Sequence, residues 1–387
     1  MLVKEILKKL VSFPVLGGQS NLEIIEWIAA YLEDYSVAYQ FVPNDEGNKK
    51  SLHCRIGPAV DGGVILSGHT DVVPVEGQAW DTAPFELTER KGLLYGRGSA
   101  DMKGFIACCL AAVPQMVKAD LQKPIYFAFS YDEEIGCLAG PALVDAINEF
   151  YTEKPKYAII GEPSMLQPIV GQKSIAIYKT NVYGSAGHSS RIKREVSAIH
   201  EVCRLVLWLE NKMDELIAAG QTDDRFDPNH TSLHCGIING GIAPNVIADH
   251  AHFLWDCRTI PMDDAKQIYQ DFLNYCAKRE AELKTVFPDA SIQTEVIHEI
   301  VPSLDTPEHL EIVDIIKELS GSDQLGTVSY AAEAGQFANG GFQTVICGPG
   351  DIAQAHRANE FISVEQLDKG VAFIHRIIEY SCSVVPA

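Results

Sequence analysis

No apolar run in this 387-residue chain approaches the ~20 residues that a membrane-spanning helix needs. The N-terminal stretch "MLVKEILKKLVSF" interleaves its lysines with apolar residues at helical spacing, so neither secretion nor membrane insertion is expected. Positive charge is scarce. Against 52 Asp and Glu stand only 31 Lys and Arg, a formal net charge of −21, which argues against nucleic acid and anionic membranes as partners and would attract cationic substrates or metal ions. CxxC spacing is absent, and the ten scattered cysteines read as buried reduced thiols. There is no GxSxG elbow, which disfavours a serine hydrolase, and no GKS or GKT, which disfavours a phosphate-binding loop.

What is present is a composition that is 47% hydrophobic and 21% charged, ordinary for a folded protein, on a chain long enough for two domains. The first fifty residues suggest helices, the second opening at Ser20 with Glu23 three later in a capping-box pattern. Four short apolar runs, "VILS" (64–67), "IYFAFS" (125–130), "YAII" (157–160) and "TVIC" (344–347), read as buried strands. Each is followed at once by polar residues: "GHTD", "YDEE", "GEPS", and "GPGD" leading to His356. In open α/β sheets the groups beyond the carboxyl ends of neighbouring strands converge on one crevice. Between residues 174 and 300 the order changes to βαββαβ, a ferredoxin-like unit. The expectation is an α/β protein with a mixed, mainly parallel sheet, its catalytic domain formed by 1–173 and 301–387 and interrupted by an inserted domain at 174–300.

The candidate site residues follow from the strand ends. His69 and Asp71 lie two apart and face the same way in extended chain, so Asp71 can orient an imidazole that binds metal; the alternative is a polar pair in a loop. Asp101, in "GRGSADMKG" ahead of an apolar stretch, is either a bridging carboxylate or a helix cap. Glu133 and Glu134 are adjacent acids that a dication would reconcile, one as ligand and one as base, unless they sit on a charged surface turn. With Glu162 and His356 added, each of two ions receives three protein ligands. Mixed nitrogen and oxygen donors suit catalytic zinc, with cobalt or manganese as substitutes.

Taken together, "SGHTDVVP", "GRGSADMKG", "DEEIG", "GEPS", "AGHSS" and "AHRANEF" resemble, in order and over nearly the whole chain, the dinuclear-zinc aminoacylase and carboxypeptidase family. The resemblance implies a zinc-exopeptidase-like catalytic domain with an inserted lid and dimerisation domain, in a cytoplasmic homodimer acting on a small N-acyl amino acid. It places one metal on His69, Asp101 and Glu162, and the other on Asp101, Glu134 and His356. Glu133 becomes the general base, with Asp71 behind His69. His188 in "AGHSS" would reach the partner subunit's active site to stabilise an oxyanion, while Asn245 and Arg258 would contact substrate. The segments "SYAAEAGQF" and "GPGDIAQAHRANEF" are most similar to forms that deacetylate an N-acetylated diamino acid, with removal of a succinyl group as the rival. Glu333 could then meet the substrate's side-chain ammonium. A non-catalytic scaffold that kept the fold would be expected to lack a ligand or Glu133, and none is missing.

Overall fold

The computed structural model describes residues 2–383. They form two compact units, one built from the chain up to Gly171, Leu304–Thr327 and the chain from Ala332, the other from Gln172–Ser303 with Val328–Ala331.

In the first unit, β1 (Tyr39–Pro43), β2 (Lys50–Ile56), β3 (Val64–His69), β4 (Ile125–Ser130), β5 (Tyr157–Pro163) and β6 (Gln343–Gly348) lie in the order β1-β2-β4-β3-β5-β6. β4, β3, β5 and β6 run parallel, with Val64 opposite both Ile125 and Tyr157, and Tyr157 opposite Gln343. β1 and β2 pair antiparallel with each other, and β2 with β4. Every residue of β3, β4 and β5 is buried, as expected of β-branched and aromatic runs covered on both faces. The helix Lys103–Met116 is apolar all round and correspondingly buried, with Phe105 through Leu110 fully inaccessible. It packs on β3 and β5 and against the helices Val3–Val11 and Val364–Cys382.

Two expectations for the N-terminal region fail. The second helix spans Leu22–Glu33 from Asn21, with no side-chain cap. Long-range bonds claim the capping groups instead: Ser20 Oγ donates to the Asn48 carbonyl at 2.6 Å, and Asn21 exchanges bonds with the Lys50 backbone at 2.8 and 2.9 Å. The strand β1, in a stretch read as helical, owes its state to pairing with β2, which itself pairs with β4, rather than to a local period.

The second unit carries four antiparallel strands in the order Ser232–Gly240, His250–Arg258, Ile175–Tyr183, Ser291–Val301. In chain order this is the 2-3-1-4 arrangement of a split β-α-β unit. Its helices Ala198–Ala218 and Ala265–Lys284 are joined by buried Glu201, which accepts from Arg279 at 2.6 and 2.9 Å. Beneath them Trp255 packs on Tyr178 at 4.4 Å between rings. The return segment Val328–Ala331, unforeseen in the sequence, is held by Lys173 N–H on the Val328 carbonyl at 3.2 Å and by Ser329 Oγ on that of Asp227 at 2.6 Å. No helix among the described residues is long and apolar enough to cross a membrane.

β5 and the Lys103–Met116 helix approach so closely that a Cβ on Gly161 would lie 2.1 Å from the Phe105 ring. Gly161→Ala is therefore expected to lower stability by about 1–3 kcal/mol and to disturb the neighbouring Glu162. Urea unfolding checks this, and an unchanged midpoint would contradict it.

Candidate metal centre

Parallel strands deliver their last residues to one edge, and the acids and imidazoles are gathered there. His69 closes β3, Glu162 lies in β5, Glu133 and Glu134 follow β4, Asp101 precedes the buried helix, and His356 sits in the loop after β6. His69 Nε2 is 3.1 Å from Asp101 Oδ1, 3.8 Å from Glu162 Oε1 and 4.0 Å from Glu133 Oε2. From the other side, His356 Nε2 is 2.9 Å from Glu134 Oε2 and 3.5 Å from Asp101 Oδ2. The two oxygens of Asp101 thus face different histidines. Two sets of donor atoms lie within 4.8 Å of one another: His69, Glu133 and Glu162, and His69, Asp101 and Glu134. Glu133 therefore lies as close to the first set as a ligand would, and His356 reaches in from a side chain 59% exposed.

Among the described residues, the ion pairs of Asp101, Glu133, Glu134 and Glu162 are all with the two histidines. Burial, with the neighbouring carboxylates, raises Glu133 and Glu162 well above the usual carboxyl range, and Glu134 to about 6. For His69 burial works against the charged form, but Asp101, Glu133, Glu162 and Asp71 outweigh it and the imidazole is held well above its usual value. Bonds to Asp101 and Glu134 lift His356 to about 10. Asp101, although buried, is held low by both histidines. Protons on imidazole and carboxyl are what such a cluster takes up in place of cations. The donor set, two imidazole nitrogens and four carboxylates without a basic side chain, fits divalent metal.

The supports differ from expectation at Asp71. His69 Nδ1 donates to the Asp71 backbone carbonyl at 2.9 Å, whereas the Asp71 carboxylate lies 3.7 Å away. That carboxylate accepts the backbone N–H of Glu133 and of Glu134, both at 3.2 Å. Asp71 thus fixes the imidazole with its main chain and the glutamate turn with its side chain. The same turn is tethered by Asp132 (φ +55°), which accepts Gly18 N–H at 2.8 Å and pairs with the Lys49 ammonium.

Glu333, expected to meet a substrate ammonium, is 1% exposed, its Oε1 has no hydrogen-bond partner, and burial pushes its carboxyl to about 7. Its side chain faces protein, because the following helix Ala334–Asn339 is buried against β5 and β6.

The remaining predicted residues lie in the second unit. His188 and Asn245 are brought together: Gly187–His188 pairs with Val246–Ile247, and Ser189 N–H donates to the Asn245 carbonyl at 3.0 Å. The Ser190 backbone N–H donates to His188 Nδ1 at 3.3 Å, so a neutral ring carries its proton on Nε2. Arg258 is elsewhere, at the far end of the His250–Arg258 strand, with Nε 3.4 Å from Asp256 Oδ1. Two residues that hold the Asp101 loop, Arg97 and Glu360, were not singled out in the sequence. The only signal was their place inside the quoted "GRGSADMKG" and "AHRANEF" segments.

With this geometry in hand, similarity to known proteins is informative. The profile of peptidase family M20/M25/M40 matches residues 65–380. An acetylornithine deacetylase of Proteus mirabilis is 32% identical over 386 residues, which cover 98% of this chain and 96% of that protein. Among solved structures, an M20 family metallo-carboxypeptidase from Sulfolobus solfataricus superposes with a TM-score of 0.78 at 17% identity, covering 99% of each chain. A Bacillus subtilis protein described as a dinuclear metal binding peptidase of the M20 family gives 0.64 at 12% identity, covering 97% of this chain and 96% of its own.

Because the Asp71 carboxylate takes two N–H donors, Asp71→Asn would turn an amide donor toward at least one of them. Divalent-metal affinity is expected to fall ~10–100-fold without loss of secondary structure. Isothermal titration with zinc checks this; wild-type affinity would show that the glutamate turn does not depend on Asp71.

Proposed function

The chain belongs to peptidase family M20/M25/M40, and from that premise we propose that it removes the acetyl group of N2-acetyl-L-ornithine, giving L-ornithine and acetate in arginine biosynthesis. It is a metal-dependent hydrolase acting on amides. The observation that carries the reading is Asp101, with one oxygen toward His69 and the other toward His356, set in a chain similar end to end to an acetylornithine deacetylase.

On this reading His69, Asp101 and Glu162 hold one ion and Asp101, Glu134 and His356 a second, zinc in preference to cobalt or manganese. Bound there, the ions would supply Lewis acidity, acidifying a water and polarising the amide carbonyl. Glu133, buried, with His69 4.0 Å away and paired with no lysine or arginine among the described residues, takes the proton of the attacking water and passes it to the departing nitrogen as the C–N bond breaks. A carboxyl held above the ordinary range by burial would suit both halves of that transfer, since a base with an ordinary carboxylate pKa would hold the proton too weakly near neutral pH. His188, with its proton on Nε2, donates to the oxyanion of the tetrahedral intermediate, supplied from the second subunit of a homodimer. Asn245 and Arg258 contact substrate, the guanidinium suiting an α-carboxylate. The inserted unit serves as lid and dimerisation domain.

The net charge of −21 suits a substrate that carries an extra ammonium. All ten cysteines are unpaired, which agrees with a cytoplasmic location.

Glu133→Gln is expected to keep its metal and lose kcat by ~10²–10⁴-fold; near-normal turnover would remove Glu133 from the role of base. Specificity is checked by kcat/KM for N-acetylornithine, N-succinyl-diaminopimelate, N-acetylglutamate and N-acetylmethionine. The first should lead, by ~10-fold or more. Preference for the succinyl compound would overturn the substrate while leaving the chemistry intact.

A further inference from the structure

Two of the candidate ligands are carried by sheet strands, His69 on β3 and Glu162 on β5. Asp101 and His356 are not: each rides on a loop, and the loops lie 255 residues apart. The side chain of Glu360, four residues beyond His356 and 1% exposed, spans the gap. Its Oε1 accepts the backbone N–H groups of Ala100 at 2.9 Å and Asp101 at 3.1 Å. Its Oε2 accepts Gly98 N–H at 3.0 Å and an Arg97 N–H at 2.7 Å. The loop that presents Asp101 therefore hangs on a carboxylate belonging to the loop that presents His356.

A second connection runs the other way. Arg97, 1% exposed, donates to Gln78 Oε1 at 2.6 Å, and Gln78 Nε2 donates to the His356 backbone carbonyl at 2.9 Å. His356 has φ +61°, in the left-handed region that side-chain-bearing residues seldom occupy, so its backbone must be held by its surroundings. Asp101, Glu360, Arg97, Gln78 and His356 are thereby joined in series, with both ends at candidate ligands.

We propose that Arg97, Gln78 and Glu360 act as a clamp that sets the separation of Asp101 and His356, so that the ion position shared by Asp101, Glu134 and His356 depends on them. The other position keeps two ligands, His69 and Glu162, on paired strands and shares only Asp101, so it is the less affected by their loss. The three are positioning residues, and the proposal rests on the two-ion reading given above. A merely structural brace would lower the stability of the whole unit and treat both ions alike.

Gln78→Glu isolates the link. The new carboxylate still accepts from Arg97 and from Trp80 Nε1, now 3.1 Å from Gln78 Oε1, but has no donor for the His356 carbonyl. Its added negative charge alone would favour cation binding, so a weaker site reports geometry. Full-length wild type, Gln78→Glu and the harsher Glu360→Gln are dialysed against buffered free zinc, and retained ions are counted by atomic absorption, with thermal melting as the control for folding. Wild type should hold two ions. Gln78→Glu should hold its first ion at wild-type affinity and its second ~10–100-fold more weakly, with a near-normal melting temperature. Two ions at wild-type affinity, or equal weakening of both, would overturn the clamp. If wild type retains fewer than two ions at any free zinc, the two-ion reading itself fails and the clamp falls with it. Should Glu360→Gln not fold, Gln78→Glu decides alone.

Discussion

Four carboxylates and two imidazoles share one edge of a sheet, and among the described residues the carboxylates pair with no lysine or arginine. That imbalance is the constraint on which the rest of the structure depends. With donor oxygens within 4.8 Å of one another in a buried site, like charges repel by several kcal/mol at an effective dielectric of ~20. Relief comes either from protons or from cations. Without ions the imidazoles hold their protons far above the usual range, and most of the acids follow. Divalent ions would replace those protons and leave every donor in its ligating form, so metal binding and proton release are coupled.

The scaffold makes this concentration of charge possible by rigidity at the right places. β3, β4 and β5 are buried throughout, so the points where His69, Glu133, Glu134 and Glu162 leave the sheet are fixed by paired strands. Asp71 then ties the first strand end to the second, its carbonyl on the imidazole and its carboxylate on the glutamate turn. Glu360 and Arg97 do for the loop ligands what the strands do for the others. Where the left-handed backbone at Asp132 and His356 appears, it lies beside a candidate ligand, and tertiary hydrogen bonds hold it.

Legibility of these features in the sequence followed the range of the interaction. The four parallel strands could be read because burial on both faces leaves a continuous apolar run, and the acids just beyond each run marked the site before any geometry existed. β2 could not, since its partner β4 lies some seventy residues onward, and β1 depends in turn on β2. A capping box at Ser20 was a sound local reading that longer-range bonds overrode. Asp71 was found but given the wrong atoms, because residue types do not distinguish a carbonyl from a carboxylate in "HTD". The burial of Glu333 was not legible, because nothing in "SYAAEAGQF" shows which way the side chain turns. Gln78 was invisible: besides Trp80 and Arg97 it bonds a main-chain carbonyl 278 residues away.

Diffraction from zinc-grown crystals, recorded on both sides of the zinc absorption edge, addresses the central claim directly. Two anomalous peaks ~3.5–4 Å apart, with Asp101 between them, His69 and Glu162 on one and Glu134 and His356 on the other, are the predicted result. A lattice of fully occupied protein with no anomalous density at these side chains, or with the five of them turned to unrelated places, would contradict it.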